Sequence, residues 1–295
     1  MRYYAILNPV SGKGQLQHIE SKIKQTFDRL GMEGELVKTI SPGDASHLAR
    51  IGLKKGYSTF LCFGGDGTLF EVVNGLRDAP VSIGVIPLGE QNLFARTLGC
   101  DKHTWSELLT QYHTLPRTTM VDVGQMNEYL FLNFIGFGIS VNILAESMMR
   151  KSQHVKKRSW MENMTQTLKK PDLHEAFITK DDKCMVSGQM YDVQIINTTN
   201  FFFHEGKNSI THQDRLLDLV IIDKSIGPGK AREIRNSRIL PATEGISHLQ
   251  GKVFEIIKPY DITLQIDSEI IRMSTPITVD LAPFQMRFFQ PQKIN

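Results

Sequence analysis

The strongest constraint on the fold is an alternation of two apolar periods over roughly the first 115 residues. Residues 3–8 form a short apolar run of strand type, after which Leu16, Ile19, Ile23, Phe27 and Leu30 recur at steps of three and four, the period of an amphipathic helix. The pattern then repeats: ELVKTI as strand, DASHLARIGLKKG as helix with Asp44 in the N-cap position, STFLCF as strand, TLFEVVNGL as helix, VSIGVIPL as strand and NLFARTLG as helix. Strands alternating with helices build βαβ units and a mostly parallel sheet, whose ligands sit beyond the carboxyl ends of the strands. Glycine-bearing turns at 8–14, 64–67 and 87–92 each follow a strand, so the spacing predicts that they converge on one crevice.

Beyond about residue 118 the texture changes to short β-rich runs, TTMVDVGQ, YLFLNFIGFG, YDVQIINTT, LLDLVIID, KVFEII and ITLQID, divided by polar or glycine-bearing turns. These predict an antiparallel sandwich or barrel. One helical region from about Val141 to Leu168 interrupts it and carries Arg150, Lys151, Lys156, Lys157 and Arg158. A length of 295 residues suits two domains, and a net charge of +3 with no basic stripe points away from nucleic acid. Cys62, Cys100 and Cys184 stand singly, as in a reducing compartment and without zinc spacing. The expectation is a cytoplasmic chain with no signal peptide or membrane span, at most peripheral on the inner membrane face.

Two stretches carry chemistry. NPVSGKG resembles a P-loop but lacks its spacing, which leaves a strand-to-helix turn whose Asn8, Ser11 and backbone amides touch phosphate, or else a plain β-turn with Pro9 at its second position. GGDGT, residues 64–68, opens a helix directly after a strand. Its glycines let a phosphate chain approach the backbone, and Thr68 can cap the helix or donate a hydrogen bond. Asp66 would repel phosphate alone, so its presence makes sense where a divalent cation bridges carboxylate and phosphates.

GGDGT followed by EVVNGL, with NPVSG upstream and IPLGEQNLFAR downstream, resembles the diacylglycerol kinase catalytic domain superfamily over nearly the whole chain, specifically its soluble bacterial lipid kinases, which are related to sphingosine kinases. GGDG alone is shared with NAD kinases and, in variant form, with phosphofructokinases; the ordered set of other motifs separates them. The resemblance implies an NAD kinase-like α/β nucleotide-binding domain at 1–120, to which 285–295 returns, and a β-sandwich substrate domain at 121–284. It implies ATP held by Asn8, Ser11, Gly12, Thr39, Gly64, Gly65, Asp66, Gly67, Thr68 and Asn92, with Mg²⁺ as cofactor and a lipid hydroxyl as acceptor. Glu269 would be the general base, with Asp66 and Asp267 as the other catalytic carboxylates, and the lipid would enter between the domains. Thr211, Asp214 and Leu216 of THQDRLLDLVII would form a structural cation site.

The chain departs from the family pattern at Glu90, Leu93, Arg215 and Ser268, which puts activity, nucleotide choice and the second cation site in question. Taken alone, Asp267-Ser268-Glu269 reads as an ordinary hairpin turn and Asp214 as a solvated turn residue. The basic run at 150–158 suits either a solvated helix face or contact with anionic lipid. Phe201, Phe202 and Phe203 suit either a lipid-contacting edge or a split between core and partner surface, and His204 lacks metal spacing. Two other functions fit the same motifs: an NAD kinase-like enzyme on a soluble acceptor, and a non-catalytic nucleotide- or lipid-binding protein that keeps the fold. Oligomeric state stays open, a homodimer included.

Overall fold

The computed structural model describes residues 1–11, 19–152, 172–180, 183–198, 213–225 and 245–292. The chain divides into two compact units, Met1–Val123 together with Ala282–Asn295, and Gly124–Leu281. In the first, β1 (Arg2–Leu7), α1 (Ile19–Leu30), β2 (Glu33–Lys38), α2 (Asp44–Lys54), β3 (Thr59–Gly64), α3 (Asp66–Leu76) and β4 (Ser82–Pro87) alternate as the periodicity predicts. A short α4 (Leu93–Thr97), then α5 (Trp105–Thr114) and β5 (Thr118–Met126) follow. The pairs β1–β2, β1–β3 and β3–β4 are all parallel, giving the order β2-β1-β3-β4, and Arg287 and Phe288 pair in parallel with Ser82 and Ile83 at the free edge of β4. The chain leaves β1 toward one side to make β2 and returns to the other side to make β3. Such a reversal leaves a crevice between the carboxyl ends of the two central strands, β1 and β3.

Every residue of β3 is buried, which is why TFLCFG reads as an unbroken apolar run and not as an alternating one. Helix α2 approaches through its small face: a Cβ on Gly52 would lie 2.6 Å from Phe60 and 2.7 Å from Tyr4. Likewise a Cβ on Gly75 of α3 would lie 2.5 Å from the carbonyl oxygen of Ser46, so α2 and α3 pack almost backbone to backbone. Phe288 reaches Phe94 edge-on at 4.7 Å between ring centroids, and Phe289 meets Tyr112 at 5.1 Å. Two details differ from the sequence reading. The N-cap of α2 is Gly43 at φ 86°, and Asp44 is the first helical residue, its Oδ2 accepting the Ile40 N–H at 2.9 Å. Helix α5, which the apolar pattern misses, starts from a capping box in which Thr104 Oγ1 and Glu107 Oε2 accept each other's backbone N–H.

The second unit runs through β6 (Tyr129–Phe131), β7 (Phe134–Gly138), α6 (Ile139–Ser152), β8 (His174–Lys180), β9 (Lys183–Ile196), β10 (Leu217–Asp223), β11 (Ile246–Gly251), β12 (Phe254–Ile257), β13 (Ile262–Ile266) and β14 (Glu269–Met273). Strand β15 (Ile277–Phe289) closes it and continues into the first unit's segment. Its strand pairs are antiparallel and form a sandwich-like region. The first half of β9 pairs with β8, and its second half pairs with β7 on one edge and β10 on the other. The helix expected from Val141 to Leu168 is α6, which begins at Ile139; residues 153–171 lie outside the described residues, with Lys156, Lys157 and Arg158 among them. Phe201, Phe202, Phe203 and His204 also lie outside.

Asp192 of β9 caps α6. Its Oδ1 accepts the Ser140 N–H at 3.0 Å and the Ser140 hydroxyl at 2.9 Å, and its Oδ2 accepts Gln194 Nε2–H at 2.8 Å. Burial pushes the Asp192 pKa up to about 7, against the opposing pull of those hydrogen bonds. Between the ordinary value of 3.8 and about 7 the folded chain holds a proton that the unfolded chain has released. The group's contribution to stability is therefore complete below its unfolded pKa and is lost as pH rises through its folded one. Urea unfolding from pH 4.5 to 7.5 should show wild type losing stability relative to Asp192→Asn by up to ~1.4 kcal/mol per pH unit, the slope of one linked proton.

Candidate active site

The described start of the first glycine-bearing turn, Asn8–Ser11, meets the turn after β3, which in turn touches the turn after β4, at the carboxyl ends of those strands. Asn8, one residue beyond β1, donates its N–H to Phe63 O at 2.9 Å and its Nδ2–H to Thr68 Oγ1 at 2.9 Å, while its Oδ1 accepts the Val10 N–H at 3.1 Å. Ser11 is buried and its N–H reaches Asn8 O at 3.3 Å. Thr39 extends the β2 side of the ladder, its N–H on Leu7 O at 3.0 Å. Across the sheet, a Cβ on Gly89 would lie 2.5 Å from Gly65 Cα and 2.7 Å from Asn92 Oδ1, so only glycine lets the β3–α3 and β4–α4 turns touch. Asn92, at φ 49°, spans its own turn: Oδ1 accepts the Gly89 N–H at 3.0 Å and Nδ2–H reaches Gly89 O at 2.9 Å. Gly12 lies outside the described residues.

The start of α3 is open. Gly65 supplies no side-chain cap, and among the described residues no side chain accepts the first-turn amides of Gly67 and Thr68. Those N–H groups and the positive end of the helix dipole are the features to which an anion is attracted. The Thr68 hydroxyl does not cap the helix; it is the acceptor for Asn8, and a Cβ on Gly64 would come within 2.4 Å of the Thr68 side chain.

Asp66 turns toward α4, its Oδ1 accepting the Phe94 N–H at 3.4 Å. Burial pushes its pKa up, against the amides of Phe94, Leu93 and Asn92 and the charge of Arg96. Leu93 is buried, whereas Glu90 on the preceding turn is exposed. Glu71, which nothing in EVVNGL marks as an acceptor, accepts the Gly43 N–H at 2.8 Å and the Ala45 N–H at 2.9 Å. It thus caps α2 from α3. The local signal was a glycine where a capping side chain is usual.

In the second unit Asp267 serves as an acceptor for three amides. Its Oδ2 takes the Leu132 N–H at 2.9 Å, and its Oδ1 takes those of Asn133 and Phe134 at 2.8 and 3.1 Å. The residue itself adopts φ 48° in the turn between β13 and β14. This places Glu269 as the first residue of β14, opposite Ile266, with the buried Ser268 Oγ between them lacking a hydrogen-bond partner. Asp214 is exposed and its Oδ1 accepts the Leu216 N–H at 3.1 Å; Arg215 takes φ 59°, so the turn keeps the left-handed conformation without glycine. Thr211 lies outside the described residues, and among those described no three His, Cys, Asp or Glu cluster at metal spacing.

Residues 2–126 match the family model of the diacylglycerol kinase catalytic domain. All the motifs NPVSG, GGDGT, EVVNGL and IPLGEQNLFAR fall inside that stretch. A diacylglycerol kinase of Bacillus subtilis (strain 168) is 35% identical over 137 residues, 45% of this chain and 44% of that protein. One of Staphylococcus haemolyticus (strain JCSC1435) is 34% identical over 149 residues, 49% of this chain and 44% of that protein. The chain thus spans less than half the length of the diacylglycerol kinases it matches in sequence. Among solved structures, a diacylglycerol kinase from Bacillus anthracis str. Sterne superposes with a TM-score of 0.73 at 20% identity, covering 98% of this chain and 96% of that one. An NAD kinase from Archaeoglobus fulgidus in complex with ATP superposes at 0.59 with 14% identity, covering 99% and 95%. The fold is therefore the NAD kinase-like one of diacylglycerol kinases. Among the described residues no helix is long and apolar enough to cross a membrane.

Asp267→Asn tests the local assignment. Replacing one carboxylate oxygen by an NH₂ sets a donor against backbone donors, and hydrogen bonds to a charged group contribute about 1.5–3 kcal/mol each. Chemical denaturation should show a loss of that order, with faster amide exchange at 132–134.

Proposed function

We propose that the chain is an ATP-dependent lipid kinase that transfers the γ-phosphate to the hydroxyl of a diacylglycerol-like or sphingoid acceptor. The observation that carries this reading is the meeting of the Asn8 turn and the uncapped start of α3 at the reversal point of a parallel sheet, within the stretch that matches the diacylglycerol kinase catalytic domain. Phosphoryl transfer asks a protein mainly for positioning and charge stabilisation. The amides of Gly67 and Thr68 would hold phosphate oxygens, Asn8 and Asn92 would keep their two turns in place, and Ser11 and Thr39 would line the nucleotide's edge.

Mg²⁺ fits Asp66, a hard oxygen donor whose charged form burial disfavours and a cation would restore. With no acidic cluster among the described residues, the ion would be shared with nucleotide phosphates, as Mg²⁺ commonly is. When bound it would neutralise the charge that develops on the transferring group. In the second unit Glu269 is the proposed base for the acceptor hydroxyl, and Asp267 a positioning residue that fixes its turn.

Purified protein should transfer labelled γ-phosphate from ATP to diacylglycerol or a sphingoid base in mixed micelles, and EDTA should abolish the transfer. Glu269→Gln should lower kcat by ~10²–10⁴, the usual contribution of a general base, with ATP binding intact. Label in NAD alone would point to a soluble acceptor. Nucleotide binding without label in any acceptor would point to a non-catalytic binding protein.

A further inference from the structure

A cluster in the second unit plays no part in the site above. Lys258 follows β12 and shares the inward parity of Phe254 and Ile256; it is only 7% exposed. Its Nζ lies 5.1 Å from the ring centroid of Phe137 on β7 and 5.2 Å from that of Tyr260. No described carboxylate pairs with it. His174, the first residue of β8, stands edge-on to the same Phe137 ring, 6.1 Å between centroids, and its buried Nε2 has no hydrogen-bond partner. The antiparallel register, Ile256 opposite Ile178 and Ile257 opposite Phe177, carries the chain past Ile257 toward His174.

Two aromatic faces give the ammonium some compensation, but a lysine brings three N–H donors and rings satisfy none of them fully. A buried cation without an anion is costly, and so is an orphaned buried imidazole nitrogen. Burial and, after it, the nearby Lys258 charge push the His174 pKa down, with Asp172 acting the other way, so the imidazole is neutral and can present Nε2–H. Leu173, next to His174 in sequence, and Tyr260, whose ring meets Lys258, are 43% and 58% exposed. An oxyanion carried on an apolar body answers both features.

We propose that Lys258 and His174 form a binding site for a phosphate oxyanion, with Phe137 and Tyr260 as its walls. Phosphate has enough acceptor oxygens to take an ammonium and an imidazole N–H at once, in charge-assisted bonds. This proposal stands independently of the kinase reading.

The test measures binding of inorganic phosphate and glycerol phosphate by calorimetry, and of vesicles of phosphatidylglycerol against phosphatidylcholine by sedimentation, on the whole purified chain. Lys258→Met keeps the apolar stem and removes a buried charge, which proteins usually tolerate or gain from; His174→Phe keeps the ring contact with Phe137. Circular dichroism checks that both remain folded. At least one probe should bind, tenfold or more weaker to each variant, with binding retained by Lys258→Arg. Binding of the free phosphates identifies a soluble source, and binding of phosphatidylglycerol vesicles alone identifies a lipid headgroup. No binding of any probe to wild type, or binding unchanged in Lys258→Met and His174→Phe, overturns the proposal.

Discussion

The candidate site depends on one side-chain contact across the sheet's point of reversal, Asn8 Nδ2–H to Thr68 Oγ1 at 2.9 Å. It ties the turn after β1 to the first turn of α3, two segments sixty residues apart in sequence. The neighbouring contact between Gly65 and Gly89 brings in the turn after β4, and Thr39 aligns the end of β2. With these ties made, turns from separate βα units meet at the carboxyl ends of the strands, where an open parallel sheet places its crevice if strand order reverses.

The molecule spends several carboxylates on its own loose ends. Glu71 holds the start of α2, Asp66 that of α4, Asp192 that of α6, and Asp267 the amides of 132–134. Thr104 caps α5. Helix α3, by contrast, opens on glycine with no side-chain acceptor among the described residues. In the proposed reading a metal nucleotide would bring an anion to that helix start and a cation to the buried carboxylate of Asp66.

Much of this was legible because buried parallel strands read as apolar runs and their helices as a 3.6-residue period. The contact between the turns after β3 and β4 followed from their places at strand ends. What stayed hidden was long-range. Glu71 caps a helix 26 residues upstream, and nothing local marks it as an acceptor. Asp267 in DSE reads by itself as a hairpin-turn residue, and nothing local shows that its oxygens hold backbone amides some 134 residues away. Asp44 and Gly43 contend for one cap, and the left-handed φ of glycine decided it. Lys258 carried a signal in its parity with Phe254 and Ile256, a charged residue on the inward phase of a strand, though the sequence could not say which rings would enclose it.

The central claim is that the uncapped start of α3 receives phosphate. Hydrogen–deuterium exchange with and without Mg²⁺-ATP tests it at the amides themselves. The account predicts nucleotide-dependent slowing over 65–69 and in the Asn8 turn. Exchange there unchanged by saturating nucleotide, with protection confined to other segments, would contradict it.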